Sequence, residues 1–278
     1  MAVSGERWEV KREAIKEQMA QFDSLVVAFS GGVDSSLVTA MAREVLGREK
    51  VRAVTAVSET LAGRELDEAC EVAEEIDVVH ELIEFSELDD ERFRENTSSR
   101  CFFCQSMRFE QIGEMARTLG VEVVASGTNA SDTGDHRPGL KAMRNQGIYQ
   151  PLLEHEVSKE EVRQIAREMG LSVWDKPAMA CLSSRIPHGL EVTQERLRRV
   201  ERAEEVLFEE GFEQFRVRAH GDLARIEIAV EQLEEVLDKA LLGRLYRGVI
   251  AAGFEEAVLD MTGYRSGSLN PGQGVSDE

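Results

Sequence analysis

Through the first two-thirds of the chain, short apolar runs rich in β-branched residues alternate with amphipathic segments of helix length. VVAF (26–29) precedes SSLVTAMAREVLG, VRAVTAVS (51–58) precedes RELDEACEVAEEI, VVHELIEF (78–85) precedes a helical stretch around residues 101–119, and VEVVASG (121–127) closes the series. Strands covered on both faces read as continuous apolar runs, and strands joined through helices run parallel. The alternation therefore predicts βαβ units around a parallel sheet, an α/β fold. In SKEEVRQIAREMG, Ser158 with Glu161 has the form of a capping box and Gly170 that of a stop, so a helix is expected between them.

After IPHGL (186–190) the pattern changes. TQERLRRVERAEEVLFEEG reads as a helix, FRVRAHGDLARIEIAV as two strands turning at Gly221 and Asp222, EQLEEVLDKALLGRLYRG as a helix and EAVLDM as a last strand. That αββαβ order predicts a smaller C-terminal α+β domain, with the boundary near Pro187 and domains of residues 1–186 and 187–278. The tail SLNPGQGVSDE is expected to be loose.

No window approaches the roughly eighteen consecutive apolar residues of a membrane span, and the N-terminus has no apolar signal region. The expectation is a soluble, cytoplasmic protein without a membrane partner. With 53 acidic against 33 basic residues the formal net charge is -20. Such a surface repels nucleic acid at long range, so a small-molecule substrate is expected rather than RNA or DNA.

The first apolar run breaks into SGGVDSS (30–36) before helical spacing resumes. In parallel sheets ligands bind beyond the carboxyl ends of strands, where a helix start offers free N–H groups and the positive end of its dipole. Gly31 and Gly32 let the backbone approach a phosphate, and Ser30, Ser35 and Ser36 supply hydroxyls. The lysine of a Walker A loop is missing. SGGVDSS instead resembles the signature of the PP-loop ATP pyrophosphatases, which split ATP between the α and β phosphates and adenylate a substrate oxygen. The resemblance implies that Ala28, Ser30, Gly31, Gly32, Asp34, Ser35 and Ser36 hold ATP, with Asp34 near Mg²⁺. It also implies that Thr55 and Ser58 after the second strand, and Gly127, Thr128 and Asn129 after a later one, contact adenosine.

Four cysteines are too few for a disulfide framework. Cys101 and Cys104 in RCFFCQ are three apart, so both sulfurs lie on one side of a helical turn. Alone, this CxxC pair fits half a zinc site, a redox pair or packing. Cys181 in ACLSSRIPHG sits in a Ser-, Arg- and Pro-rich loop, where nearby Arg185 would favour thiolate. Three thiolates suit a [4Fe-4S] cluster with one iron left for an extra sulfide. A zinc ion would need a fourth ligand, for which His188 and His136 are available. Cys70, in DEACEVAEEI, is expected to be a buried structural thiol on a helix's apolar face.

GTNASDTGDHRPGLKAM, WDKPAMACLSSRIPHG, FRVRAHGDLARIEI and VLDMTGYRSGSLN together resemble the ATP-dependent sulfur transferases of nickel-pincer cofactor assembly, the LarE family, over residues 7–270. The resemblance implies a HUP-like (adenine nucleotide alpha hydrolase-like) PP-loop domain. It implies adenylation of the carboxylates of pyridinium-3,5-biscarboxylic acid mononucleotide, displacement of AMP by sulfur, and a homo-oligomer. Cys181 matches the sacrificial cysteine of one branch; in another it joins the CxxC pair on a [4Fe-4S] cluster, the reading that all three cysteines favour. Arg216 and Arg218, two apart on one strand face, would bind the substrate phosphate with Ser184 and Arg185, and Glu204 would take part in catalysis. Members commonly carry Lys after the CxxC, where this chain has Gln105, so a cationic role there is either absent or filled from elsewhere. A tRNA thiolase, an ammonia-using ligase and a nucleotide-sensing module are the competing readings.

Overall fold

A computed structural model describes residues 6–133, 138–177 and 180–265. The chain divides into two compact units, Met1–Glu87 with Cys101–Met179 and Leu88–Arg100 with Ala180–Glu278. Besides the C-terminal part of the chain, the second unit takes an inserted stretch ahead of the CxxC pair. The tail expected to be loose lies outside the described residues.

The first unit follows the order α1 (Glu6–Met19), β1 (Leu25–Ala28), α2 (Val33–Leu46), β2 (Val51–Val57), α3 (Gly63–Ile76) and β3 (Val79–Glu84). The short helix α4 (Glu91–Arg94) belongs to the second unit. Then come α5 (Arg100–Thr118), β4 (Val124–Ala125), α6 (Pro138–Asn145), α7 (Pro151–Glu154) and α8 (Lys159–Glu168). All pairings in the sheet are parallel and the strand order is β3-β2-β1-β4. The α/β parallel-sheet expectation holds.

Side chains alternate across each strand, and the two faces feed separate cores. Leu25, Val27, Val51 and Ala53 pack with α1, α2, α3 and α8, whereas Val26, Val54 and Ala56 pack with Phe109, Ile112 and Ala116 of α5. Helices cover both faces, which is why the central strands read as unbroken apolar runs. The edge strand β3 is only half-covered and leaves Leu82 exposed. The capping box of α8 is formed as expected, and Gly170 follows it at φ +76°. Cys70 is half-buried, not buried: it lies one position off the covered stripe of α3, which is Ala69, Val72, Ala73 and Ile76.

In the second unit, α9 (Gln194–Glu209), β5 (Phe215–His220), β6 (Leu223–Ile228), α10 (Lys239–Ala251) and β7 (Glu256–Leu259) reproduce the expected αββαβ order. β5 and β6 form an antiparallel hairpin, and β7 joins β6 in parallel. Leu197, Val200, Ala203 and Leu207 make the buried stripe of α9, and Glu204 falls on the same stripe. No described helix is long and apolar enough to cross a membrane.

Candidate functional site

In the order β3-β2-β1-β4 the chain leaves β1 toward one edge and returns on its other side at β4. Such a reversal opens a crevice at the carboxyl ends of the two strands. The 30–36 loop follows β1 there, and residues 126–129 follow β4. Their approach needs glycine. A Cβ on Gly127 would lie 2.5 Å from Ser35 N and 2.7 Å from Asp34 C, and one on Gly31, at φ +65°, would lie 2.6 Å from Ala69 Cα.

Two cavities meet at this crevice. One, of about 500 Å³, is lined by Ser30, Gly32, Asp34, Asn129, Asp132, Lys159 and Lys176 among others. The Lys159 ammonium pairs with Asp34 Oδ2, Asn129 Nδ2 donates to Asp34 Oδ1 at 2.9 Å, and Lys176 Nζ donates to Gly31 O at 3.3 Å. Ser35 Oγ donates to Gly32 O at 3.2 Å and lies 3.1 Å from Ser30 Oγ. Ser36 is fully buried, and among the described residues its Oγ has no hydrogen-bond partner. Backbone, hydroxyls and two ammonium groups in a strongly acidic chain give this cavity the donor chemistry that a polyphosphate needs.

The second cavity, of about 400 Å³, is bounded by Ala28, Ser30, Asp34, Ser35, Thr55, Gly127 and Thr128, with Phe109, Ile112 and Met143 as an apolar wall. Apolar walls with a few polar groups suit a nucleobase and ribose. Thr55, at the wall, is held by two bonds: Oγ1 donates to Phe29 O at 2.8 Å and accepts from His80 Nε2 at 2.7 Å. Burial lowers the His80 pKa, which favours the neutral ring. Ser58 bounds neither cavity: its Oγ lies 3.1 Å from Thr60 Oγ1, closing a turn after β2. Gln105 bounds the second cavity, and Arg108, three residues further along α5, brings a cation to the same wall.

Of the cysteines, Cys101 and Cys104 stand in the first two turns of α5 in the first unit, and Cys181 belongs to the second. Cys101 is exposed. Cys104 is buried and donates from Sγ to Oε1 of the fully buried Glu87 at 3.4 Å. Glu87 also accepts from Thr60 Oγ1 at 3.1 Å and Arg108 Nη2 at 3.3 Å, so a cation stands beside this carboxylate. Among the described residues no group of three or more His, Cys, Asp or Glu side chains is gathered as for a metal ion. His136 lies outside the described residues, and His188 Nδ1 donates to Asn96 O at 3.2 Å.

The second unit gathers Arg185, Arg216 and Arg218, all at least nine-tenths buried. Arg185 forms a two-pronged pair with Glu204, Nε–Oε1 at 2.8 Å and Nη2–Oε2 at 2.9 Å, and Glu204 Oε1 accepts from Val217 N at 3.0 Å. Glu204 therefore holds an arginine in place. Arg185 also donates to the carbonyl oxygens of Ala180 and Cys181 and to Ser184 Oγ. It reaches Cys181 at the backbone, while Sγ lies 3.1 Å from Ser183 Oγ. Arg218 pairs with the fully buried Glu227 and donates to Ser184 O at 3.2 Å. Arg216 lies against the Tyr264 ring at 5.1 Å. Burial and then the neighbouring Arg185 charge push its pKa down, and Arg216 Nη1 donates to Phe215 O at 2.6 Å.

Lys159, Lys176, Arg108, Glu87 and Glu227 were not singled out from sequence. Lys159 directly follows the capping Ser158, and Glu227 occupies an alternating position in the strand pattern LARIEI; both were visible as charges on otherwise well-defined elements.

An asparagine synthase family model matches residues 9–105. The pyridinium-3,5-bisthiocarboxylic acid mononucleotide synthase of Lactiplantibacillus plantarum is 35% identical over 260 residues, 94% of this chain and 94% of that protein. The chain belongs to the LarE family. An uncharacterised protein of Synechocystis sp. is 42% identical over 94% of this chain and 97% of its own length. A tRNA-specific 2-thiouridylase of Beijerinckia indica is 30% identical, over only 55% of this chain and 44% of that enzyme. The resemblance drawn from sequence is thus borne out. LarE membership covers both units, and the thiouridylase likeness covers about half the chain.

Proposed function

We propose that this LarE-family chain is an ATP-dependent, AMP- and pyrophosphate-forming sulfur transferase acting on pyridinium-3,5-biscarboxylic acid mononucleotide. The observation that carries the reading is the crevice at the carboxyl ends of β1 and β4, where a lysine-faced polyphosphate cavity meets an apolar nucleoside cavity. A substrate carboxylate oxygen attacks the α phosphorus, and pyrophosphate departs with the electrons of the broken anhydride bond. Lys159, Lys176 and the N–H groups at the start of α2 stabilise the charge that develops on it. Mg²⁺ would be held by oxygen donors, Asp34 and Asp132, together with the phosphates.

The activated carboxyl carbon then exchanges AMP for sulfur, and a thiolate or sulfide is a strong nucleophile near neutral pH. The thiols of Cys101, Cys104 and Cys181 have the donor chemistry of an iron–sulfur cluster, the CxxC pair sharing one side of α5. When bound, such a cluster supplies a transferable sulfide. Arg216 takes the substrate phosphate, flanked by Arg185 and Arg218, whose orientations Glu204 and Glu227 fix. The chain's net charge of -20 speaks against RNA as the acceptor.

Pyrophosphate release that depends on the dicarboxylate mononucleotide, and is lost in Asp34→Asn, tests the adenylation step; release driven by tRNA instead would overturn the substrate. Iron and sulfide assays on anaerobically purified protein test the sulfur source. Stoichiometric iron that disappears in Cys101→Ser supports the cluster. Absence of iron, with Cys181 losing the mass of H₂S after turnover, would assign the sulfur to Cys181 itself.

A further inference from the structure

The segment 88–100 of the second unit carries no residue used in the proposed reaction, yet two of its buried side chains bond the loop that bears Cys181. Asn96 is fully buried and left-handed at φ +53°, a conformation asparagine tolerates better than most residues. Its Nδ2 donates to the carbonyls of Ile186 at 3.2 Å, Pro187 at 2.8 Å and Leu190 at 2.7 Å. Its own carbonyl accepts from Gly189 N at 3.2 Å. Its Oδ1 accepts from Arg100 Nη1 at 2.6 Å, and that same nitrogen donates to Ser183 O at 2.7 Å. Val192 N closes the connection on Arg94 O at 2.9 Å.

Two points of chemistry make this more than a packed loop. Arg100 immediately precedes Cys101 in the chain, and Ser183 presents Oγ to Cys181 Sγ at 3.1 Å. Ser183 also lies next to Ser184 and Arg185, which join the buried arginine group. A buried guanidinium bonded to two oxygens loses both contacts when truncated, with no water to replace them.

We propose that Asn96 and Arg100 are positioning residues for sulfur delivery. They hold the backbone from residue 183 to 190, and with it Cys181, Ser184 and Arg185, to the stretch that leads into Cys101. The inference rests on the sulfur-transferase reading, and it concerns the sulfur step alone, because neither residue bounds the polyphosphate or nucleoside cavity.

Arg100→Met removes both bonds and keeps the length of the side-chain stem; Arg100→Lys keeps a cation that can reach one oxygen. Full-length proteins, purified and reconstituted alike, are compared in three assays. These are substrate-dependent pyrophosphate release, formation of sulfur-bearing product, and alkylation of Cys181 by iodoacetamide relative to Cys70. In Arg100→Met, pyrophosphate release stays within about twofold while product formation falls about tenfold or more. Cys181 alkylation rises against Cys70, and Arg100→Lys lies between Arg100→Met and the wild type. Product falling only in proportion to pyrophosphate release, or an unchanged alkylation ratio, would overturn the proposal. If Arg100→Met does not fold, Arg100→Lys decides by the same split. If the wild type releases pyrophosphate but makes no sulfur product, the sulfur reading fails and the alkylation ratio still decides the positioning.

Discussion

The ammonium of Lys159, the first residue of α8, contacts the carboxylate of Asp34 in the first turn of α2, 125 residues away in sequence. The contact places a cation over the loop proposed to receive the polyphosphate. Both side chains are partly exposed, so the pair adds little to stability and its value lies in charge placement. Lys159→Met is expected to raise the KM for ATP about tenfold, the loss of one charge-assisted contact, with little change in melting temperature. Steady-state pyrophosphate release and a thermal melt check it.

Glycine at 127 is demanded by space, whereas glycine at 113 is not. A Cβ at residue 127 would strike Ser35 N and Asp34 C, but one at residue 113, inside α5, meets nothing within 4 Å. Gly127→Ala is expected to destabilise by about 1–3 kcal/mol and to abolish most ATP-dependent turnover, because the backbone it displaces is the loop proposed to hold the nucleotide. Gly113→Ala is expected to stabilise by about 0.5–1 kcal/mol through helix propensity. Urea unfolding of both variants tests the contrast.

The Arg185–Glu204 pair is almost completely buried, with side-chain exposures of 1% and 9%. Glu204→Leu strands a buried guanidinium and is expected to cost about 3–5 kcal/mol. Combining it with Arg185→Met should recover part of that loss while leaving sulfur transfer defective. A double-mutant cycle on unfolding free energy measures the coupling; additive losses would mean that Glu204 does not act on Arg185.

Glu161 supplies a pH dependence whose direction follows from its contacts. Partial burial raises its pKa, but Lys11 Nζ at 2.7 Å and the Ser158 N–H outweigh that and hold it below the ordinary glutamate value. Its stabilisation is complete above the ordinary glutamate range and fades as the pH falls through that range toward the lower folded-state value. The stability difference between wild type and Glu161→Gln should therefore shrink from about pH 7 to about pH 3. A difference that grows on acidification would contradict the assignment.

The parallel sheet and the position of the 30–36 loop at the end of β1 were legible because local signals dictated them. Continuous apolar runs require cover on both faces, and two glycines followed by serines at a strand end leave few other structures. Lys159 and Lys176 stayed hidden because their approach to residues 31 and 34 depends on how α8 and the segment after it pack on α2, which no spacing records. Arg216 and Arg218 could be placed on one strand face, but the pairing of buried Arg218 with Glu227 one strand away is set by register. Ser58 stands in a turn after β2, where its Oγ lies beside Thr60 Oγ1, and a hydroxyl after a strand serves a turn or a ligand equally well. The stretch 88–100 gave no pattern at all: α4 spans four residues, and the left-handed Asn96 takes its meaning from carbonyls about ninety residues further on.

The most decisive measurement is the mass of the nucleotide product after anaerobic incubation of the reconstituted chain with ATP, Mg²⁺ and pyridinium-3,5-biscarboxylic acid mononucleotide. The expected result is replacement of carboxylate oxygen by sulfur, with AMP and pyrophosphate formed one for one with each replacement. ATP cleaved to AMP and pyrophosphate with the substrate's oxygens unchanged, or sulfur recovered only on tRNA, would contradict it.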